Sequence, residues 1–258
     1  MDAVEKVYRF YESWRGEKFV YGKSVSGKPL VGFFVGKHTY PVLLLQYAIH
    51  AREWITSLLA LEHIKRGVSQ GGAYILPLTN PDGALLSLCD PARTLWKANA
   101  NGVDLNVNFP ALWGTGVSNT FAPSSQNYVG ARPLSEPETR ALVRFTGKVR
   151  PSATVSYHTK GREIYWEFFQ QGAALERDKR LASALADETG YTAKTIVGSA
   201  GGYKDWCIRA LRIPAFTIEA GSDAFAHPIG EGALPALVRE NIGVPERLGK
   251  ELLPWKTK

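Results

Sequence analysis

Apolar positions along this chain recur alternately with helical and extended spacing, and the alternation sketches a fold. Residues 3–14 have the spacing of a short amphipathic helix, and residues 19–21 and 30–35 that of a hairpin around Ser26-Gly27-Lys28, placed at a sheet edge. The run 41–45 predicts a buried strand. It is followed by a helix over 54–65, whose inward face is Ile55, Leu58, Leu59 and Leu61, and by a second apolar strand over 73–78. Strand, helix and strand in that order make a crossover, the unit of an α/β sheet. Thr79-Asn80-Pro81-Asp82-Gly83 reads as a turn, and from residue 89 to 126 periodicity fades into a long Asn-, Gly-, Pro- and Ser-rich loop of the kind that carries function. Ser135 is a natural N-cap, with Pro137 in the first turn and Leu142, Val143 and Phe145 as the buried stripe of the helix that follows. A strand over 153–157 delivers His158, a short strand covers 164–166, and a helix over 173–188 closes at Gly190. Residues 198–202 form a flexible turn before a helical stretch over 203–211. A strand over 214–218 then ends at Glu219, and one long helix spans 234–252. No repeat or linker divides the 258 residues, so a single domain is expected.

Composition narrows the classes. With 45% hydrophobic and 21% charged residues, the chain can bury one large core, and no apolar run is long enough to cross a bilayer. Its first residues lack the pattern of an export signal, and two cysteines, Cys89 and Cys207, suit packing thiols in a reducing, cytoplasmic setting. Thirty-one Lys and Arg against 24 Asp and Glu give a net charge of +7. These cations are scattered, without the basic and aromatic interleaving of a nucleic-acid binder, and neither a nucleic-acid nor a membrane partner is expected. A small substrate with several carboxylates accounts for the excess equally well.

The chemistry concentrates at strand ends. His50 and Glu53 sit three residues apart where a strand turns into a helix, His158 ends another strand and Glu219 a third. Ligands collect at the carboxyl ends of strands in open α/β sheets. Two imidazoles and a carboxylate are the donor set of a catalytic zinc that keeps one position for water, and a further carboxylate nearby is suited to take that water's proton.

These residues come with others in an ordered set: His50-Ala51-Arg52-Glu53-Trp54, Asn80-Pro81-Asp82-Gly83, Ser135-Glu136-Pro137-Glu138, His158 after an apolar strand, and Phe216-Thr217-Ile218-Glu219. In that order they resemble the zinc carboxypeptidases, the carboxypeptidase A-like metallopeptidases. The resemblance implies a three-layer α/β/α fold with a mixed, mostly parallel central sheet. It further implies one zinc ion per chain on His50, Glu53 and His158, with Glu219 as general base and then general acid. Lys97, after Trp96, stands where the family has an oxyanion-stabilising arginine.

One departure points within the family. Where the digestive enzymes hold an arginine for the substrate's terminal carboxylate, between two asparagines, this chain has Val107 in Asn106-Val107-Asn108. Gly102-Val103-Asp104-Leu105-Asn106, the stretch from His158 to Trp166, and Ala200-Gly201-Gly202-Tyr203-Lys204-Asp205-Trp206 are similar to the bacterial γ-D-glutamyl-L-diamino acid peptidases. That subgroup cuts the bond from D-glutamate to diaminopimelate or lysine in murein peptides, which are anionic. Arg52, Asn106, Lys160, Arg162, Tyr203 and Lys204, together with Arg132, are then the candidates for substrate contact. The alternatives are an amidohydrolase acting on another anionic amide, and a catalytically silent zinc-binding module.

Overall fold

The computed structural model describes residues 1–255. Eight strands form one mixed sheet: β1 (Lys18–Lys23), β2 (Pro29–Gly36), β3 (Val42–Tyr47), β4 (Gly72–Leu76), β5 (Ala153–His158), β6 (Glu163–Tyr165), β7 (Thr192–Lys194) and β8 (Ala215–Glu219). They lie side by side in the order β1-β2-β4-β3-β5-β8-β6-β7. The central run β4, β3, β5 and β8 is parallel, and the antiparallel pairs are β1 with β2, β2 with β4, and β6 with β8. Central parallel strands are covered on both faces and therefore read as unbroken apolar runs, as Val42–Tyr47 does.

Alternate side chains of β3 feed two cores. Leu43, Leu45 and Tyr47 face the larger one, shared with α1 (Ala3–Ser13), α2 (Ile55–Arg66), α5 (Gly172–Thr189), α7 (Leu234–Asn241) and α8 (Val244–Leu252). Leu44 faces the other way, toward α4 (Pro137–Val149), the short α6 (Tyr203–Trp206) and the loop through Leu105 and Phe109. The result is the three-layer α/β/α arrangement that the family resemblance implies.

Four local readings change. Asn80-Pro81-Asp82-Gly83 is the start of a helix, α3 (Pro81–Cys89): Asn80 caps it by accepting from Gly83 N at 3.0 Å, and Pro81 takes the first-turn position, where its missing N–H costs nothing. The expected final helix is broken into α7 and α8 at Ile242-Gly243, because Pro245 cannot supply the N–H that continuation needs. The helical stretch after Gly202 is one α-turn running into a wider π-type turn, Cys207–Leu211. Ser135 is not the cap of α4, which falls on Glu136; the Ser135 hydroxyl instead donates to Glu136 Oε1 at 2.7 Å.

Candidate active site

β3, β5 and β8 run in the same direction, so their carboxyl ends reach one edge of the sheet. Tyr47 is in register with Tyr157, and His158 with Glu219. Beyond β3 the chain passes through Ala48 at φ 48°, a left-handed turn for a residue with a Cβ, and into a 3₁₀ turn, Ala51–Glu53. Asn80 holds that turn in place. Its amide donates to the carbonyls of Ile49 and Ala98, both at 3.1 Å, while Ala51 N donates to Lys97 O at 3.0 Å. The pre-helix turn and the long loop are thereby tied together.

His50, Glu53 and His158 converge, all three buried. His50 Nδ1 lies 3.0 Å from Glu53 Oε1, His158 Nδ1 lies 3.0 Å from Glu53 Oε2, and the two Nδ1 atoms are 2.9 Å apart. The opposite ring nitrogens face other oxygens: His50 Nε2 lies 3.2 Å from Asp104 Oδ1, close but not aligned as a hydrogen bond, and His158 Nε2 is 3.0 Å from Ser156 Oγ. An imidazole whose rear N–H faces an oxygen turns the lone pair of its other nitrogen inward, which is how metal-binding histidines are oriented. Three buried donors aimed at one point, each imidazole with an oxygen near its rear nitrogen, fit a divalent cation such as zinc.

The surrounding charge suits a cation. Burial works against a charged His50, yet Glu53 and Asp104 outweigh it and raise the imidazole above its ordinary range. Burial likewise favours a neutral Glu53, but His50 and His158 hold it well below the carboxylate range. Asp104, fully buried, is also held far down despite its desolvation, by Lys97 at 3.1 Å and by His50. Lys97 in turn keeps its proton, because Asp104 and Glu53 overcome its own burial. Glu219 behaves in the opposite sense: enclosure by protein raises it to about 7, although part of its surface still faces the cleft.

A cleft of about 300 Å³ opens from this cluster. His50 and Glu219 lie at one end of it, Lys97, Asn106 and Val107 along it, and Lys204 with Asp205 in its wall. A profile of the zinc carboxypeptidases matches residues 12–241. The chain belongs to the zinc carboxypeptidase family. A γ-D-glutamyl-L-diamino acid endopeptidase of Lysinibacillus sphaericus is 30% identical across 95% of this chain and 69% of its own length. An uncharacterised Bacillus subtilis protein, YqgT, is also 30% identical, across 78% of this chain and 63% of its own length. Among solved structures, the murein-tripeptide amidase MpaA of Escherichia coli O157 superposes with a TM-score of 0.64 at 25% identity, covering 90% of this chain and 95% of that one. Bovine thrombin-activatable fibrinolysis inhibitor, at 21% identity over 97% of this chain and 94% of its own, gives a TM-score of 0.83 and shows that the fold is shared.

The structure divides the residues anticipated for the site of this family member. His50, Glu53, His158, Glu219 and Lys97 come together, and Asn106 and Lys204 line the same cleft. Asn106 also positions α6, its Oδ1 accepting from Tyr203 N at 3.1 Å. Tyr203 does not reach the cleft. Its ring is buried against Phe109 and Trp206, and its hydroxyl pairs with Thr146 at 2.8 Å, because the turn after Gly202 directs it into the smaller core. Arg162 is directed outward to Glu240 on α7. Arg132, although its backbone carbonyl accepts from Asn108, does not line the cleft. Lys160 and Arg52 do not line the cleft: Lys160 Nζ donates to Asp223 O at 2.8 Å, and Arg52 reaches Leu95 O at 3.5 Å. Sequence reasoning missed Asp104 and Ser156. Ser156 was legible, since it sits two positions before His158 on the same strand face; Asp104 was not, because only the folded loop shows which acid reaches the back of His50.

Proposed function

We propose that this protein is a zinc-dependent peptidase that hydrolyses the γ-D-glutamyl bond to diaminopimelate or lysine in murein-derived peptides. The observation that carries this reading is the cleft joining the metal triad and Glu219 to two lysines, the half-buried Lys97 and the buried Lys204, with Val107 in place of an arginine clamp. His50, Glu53 and His158 would hold one zinc ion. Bound there, zinc supplies Lewis-acid polarisation of the scissile carbonyl and makes water a better nucleophile.

Glu219 takes the proton of the attacking water and returns it to the leaving nitrogen; a carboxyl raised toward 7 by its surroundings is suited to both transfers. Lys97, held charged and oriented by Asp104, places positive charge beside the carbonyl oxygen as negative charge develops there. Because Glu219 lines the cleft, the amine half of the substrate lies within it. Lys204, anchored by Asp205 Oδ1 at 2.6 Å and Glu167 O at 2.9 Å, faces the distal carboxylate that diaminopimelate carries. The Lysinibacillus relative, a γ-D-glutamyl-L-diamino acid endopeptidase, supports this bond, and the Escherichia relative, a murein-tripeptide amidase, supports this class of substrate.

No described helix is long and apolar enough to cross a membrane, and two unpaired thiols suit turnover of released peptides in a reducing compartment. The test is mass-spectrometric product analysis of L-Ala-γ-D-Glu-diaminopimelate with zinc-loaded protein. Expected products are L-Ala-D-Glu and free diaminopimelate. Cleavage only of ordinary peptides or N-acyl amino acids would reject this substrate.

A further inference from the structure

A second cavity, of about 280 Å³, shares no lining residue with the catalytic cleft. Its apolar wall is Phe168, Ile208 and Ile213, and three arginines, Arg177, Arg209 and Arg212, line it as well. One acid stands among them. The buried carboxylate of Asp178 accepts from Arg177 Nε at 2.7 Å and from Gln170 Nε2 at 3.1 Å, so it is already committed. Arg209 and Arg212, both exposed, pair with no acid among the described residues, and the cavity is left with uncompensated positive charge.

The backbone around this cavity takes forms that packing alone does not account for. Phe169 lies at φ 59°, in the left-handed region that residues with a Cβ avoid, and its ring is 72% exposed. Its aromatic contact is with the ring of Phe168, edge-on, with centroids 5.0 Å apart. Arg209 belongs to the wide π-type turn Cys207–Leu211, a rare form that recurs at functional sites. Arg212 follows that turn at φ 57°. A left-handed residue ends many helices, so Arg212 alone means little, but Phe169 ends none. Strain that leaves an aromatic ring in water is kept where the ring has something to bind. A ring face offers stacking, and the planar fork of a guanidinium matches a phosphate or carboxylate.

We propose that Phe169, Arg209 and Arg212, together with Arg177, form a binding site for a small planar ring compound that carries a phosphate or carboxylate group. The site is separate from the catalytic machinery and independent of the γ-glutamyl reading. It nevertheless adjoins the cleft. Lys204 Nζ stands 5.3 Å from the centroid of Phe168 and donates to Glu167 O at 2.9 Å, so an occupant packs against the segment that fixes this cleft lysine.

The experiment is titration calorimetry on the zinc-loaded protein. Adenosine 5′-monophosphate and benzoate serve as probes and distinguish a phosphorylated ring from a carboxylated one; adenosine and inorganic phosphate test the two halves separately. At least one ring anion is expected to bind saturably below about 1 mM, and about tenfold or more tighter than adenosine or phosphate. Replacing Arg209→Gln and Arg212→Gln together should weaken that binding by about tenfold or more. Phe169→Gly is the more discriminating variant, because glycine takes left-handed backbone without strain and the lost ring lies mostly in water. Its thermal midpoint is expected to hold or rise while affinity for the ring anion falls by about fivefold or more. A lowered midpoint with unchanged affinity would make Phe169 a packing residue and overturn its role. No saturable binding of either ring anion up to about 10 mM overturns the site. So does binding that survives the arginine substitutions, as an anion lodged at the zinc or at Lys97 would.

Discussion

Glu219 sits across the sheet ladder from His158 yet is not among the buried donors that converge on one another. That separation suits the proton transfer proposed for it better than metal binding. Replacing it by Gln keeps the shape and removes the base: zinc content is expected to be unchanged while kcat falls by about 10²–10⁴-fold. Asp104 is the complementary case, a fully buried carboxylate that reaches both His50, a proposed metal ligand, and the cleft cation Lys97. Asp104→Asn frees both, and metal affinity or activity should drop by roughly 10–100-fold, the usual cost of an outer partner of a ligating histidine. Competition with a chelator of known affinity measures the first quantity directly, and an unaltered zinc affinity together with unaltered kcat would remove Asp104 from this role.

At the scale of elements, two buried titratable groups tie helices to the sheet and leave signatures in pH. His63 on α2 accepts from Tyr47 OH at Nδ1, 2.7 Å, and donates from Nε2 to Asn241 O on α7, 2.9 Å. Burial depresses it to about 4, so the folded state favours the neutral ring. Its contribution is fully present above its unfolded value near 6.5 and is lost as pH falls through about 4, amounting to about 3 kcal/mol over that window. Glu138 on α4 accepts from Val25 N at 2.9 Å, and burial raises it to about 7. The sign reverses here: the stability it lends is complete below its unfolded value near 4.5 and is lost as pH rises through 7. Denaturant midpoints measured from pH 4 to 8 should fall on the acid side less steeply in His63→Gln and on the alkaline side less steeply in Glu138→Gln. A parent-like pH dependence in either variant would refute the assignment for that residue. The elements themselves were legible where burial is two-sided or strictly periodic, as in β3, β5 and α2. They were misread where a proline acts by position: Pro81 starts a helix taken for a turn, and Pro245 ends a run taken for one helix. Of the two three-residue strands, β6 was legible in the apolar run 164–166, one residue out of register, whereas β7 was too short to announce itself and was missed.

For the molecule as a whole, the parallel run of β3, β5 and β8 does what separate motifs cannot: it gathers residues 50, 158 and 219 at one edge. The sequence was informative about these because metal-binding and proton-transferring residue types stand at strand ends, and the family match across residues 12–241 supplied their order. It was much less informative about substrate contacts. Lysines and arginines look alike in a list, and only folding shows that Lys204 is enclosed in the cleft wall, Arg162 pairs with Glu240, and Tyr203 belongs to the core. Removal of the metal by chelation should abolish activity without unfolding the chain, since neither core includes a residue of the triad. The most direct measurement is anomalous diffraction at the zinc edge from crystals of the reconstituted protein. A single peak per chain in contact with His50 Nδ1, His158 Nδ1 and the Glu53 carboxylate is expected, whereas a zinc peak elsewhere, or none at this triad under saturating metal, would contradict a zinc-dependent site built on these three residues.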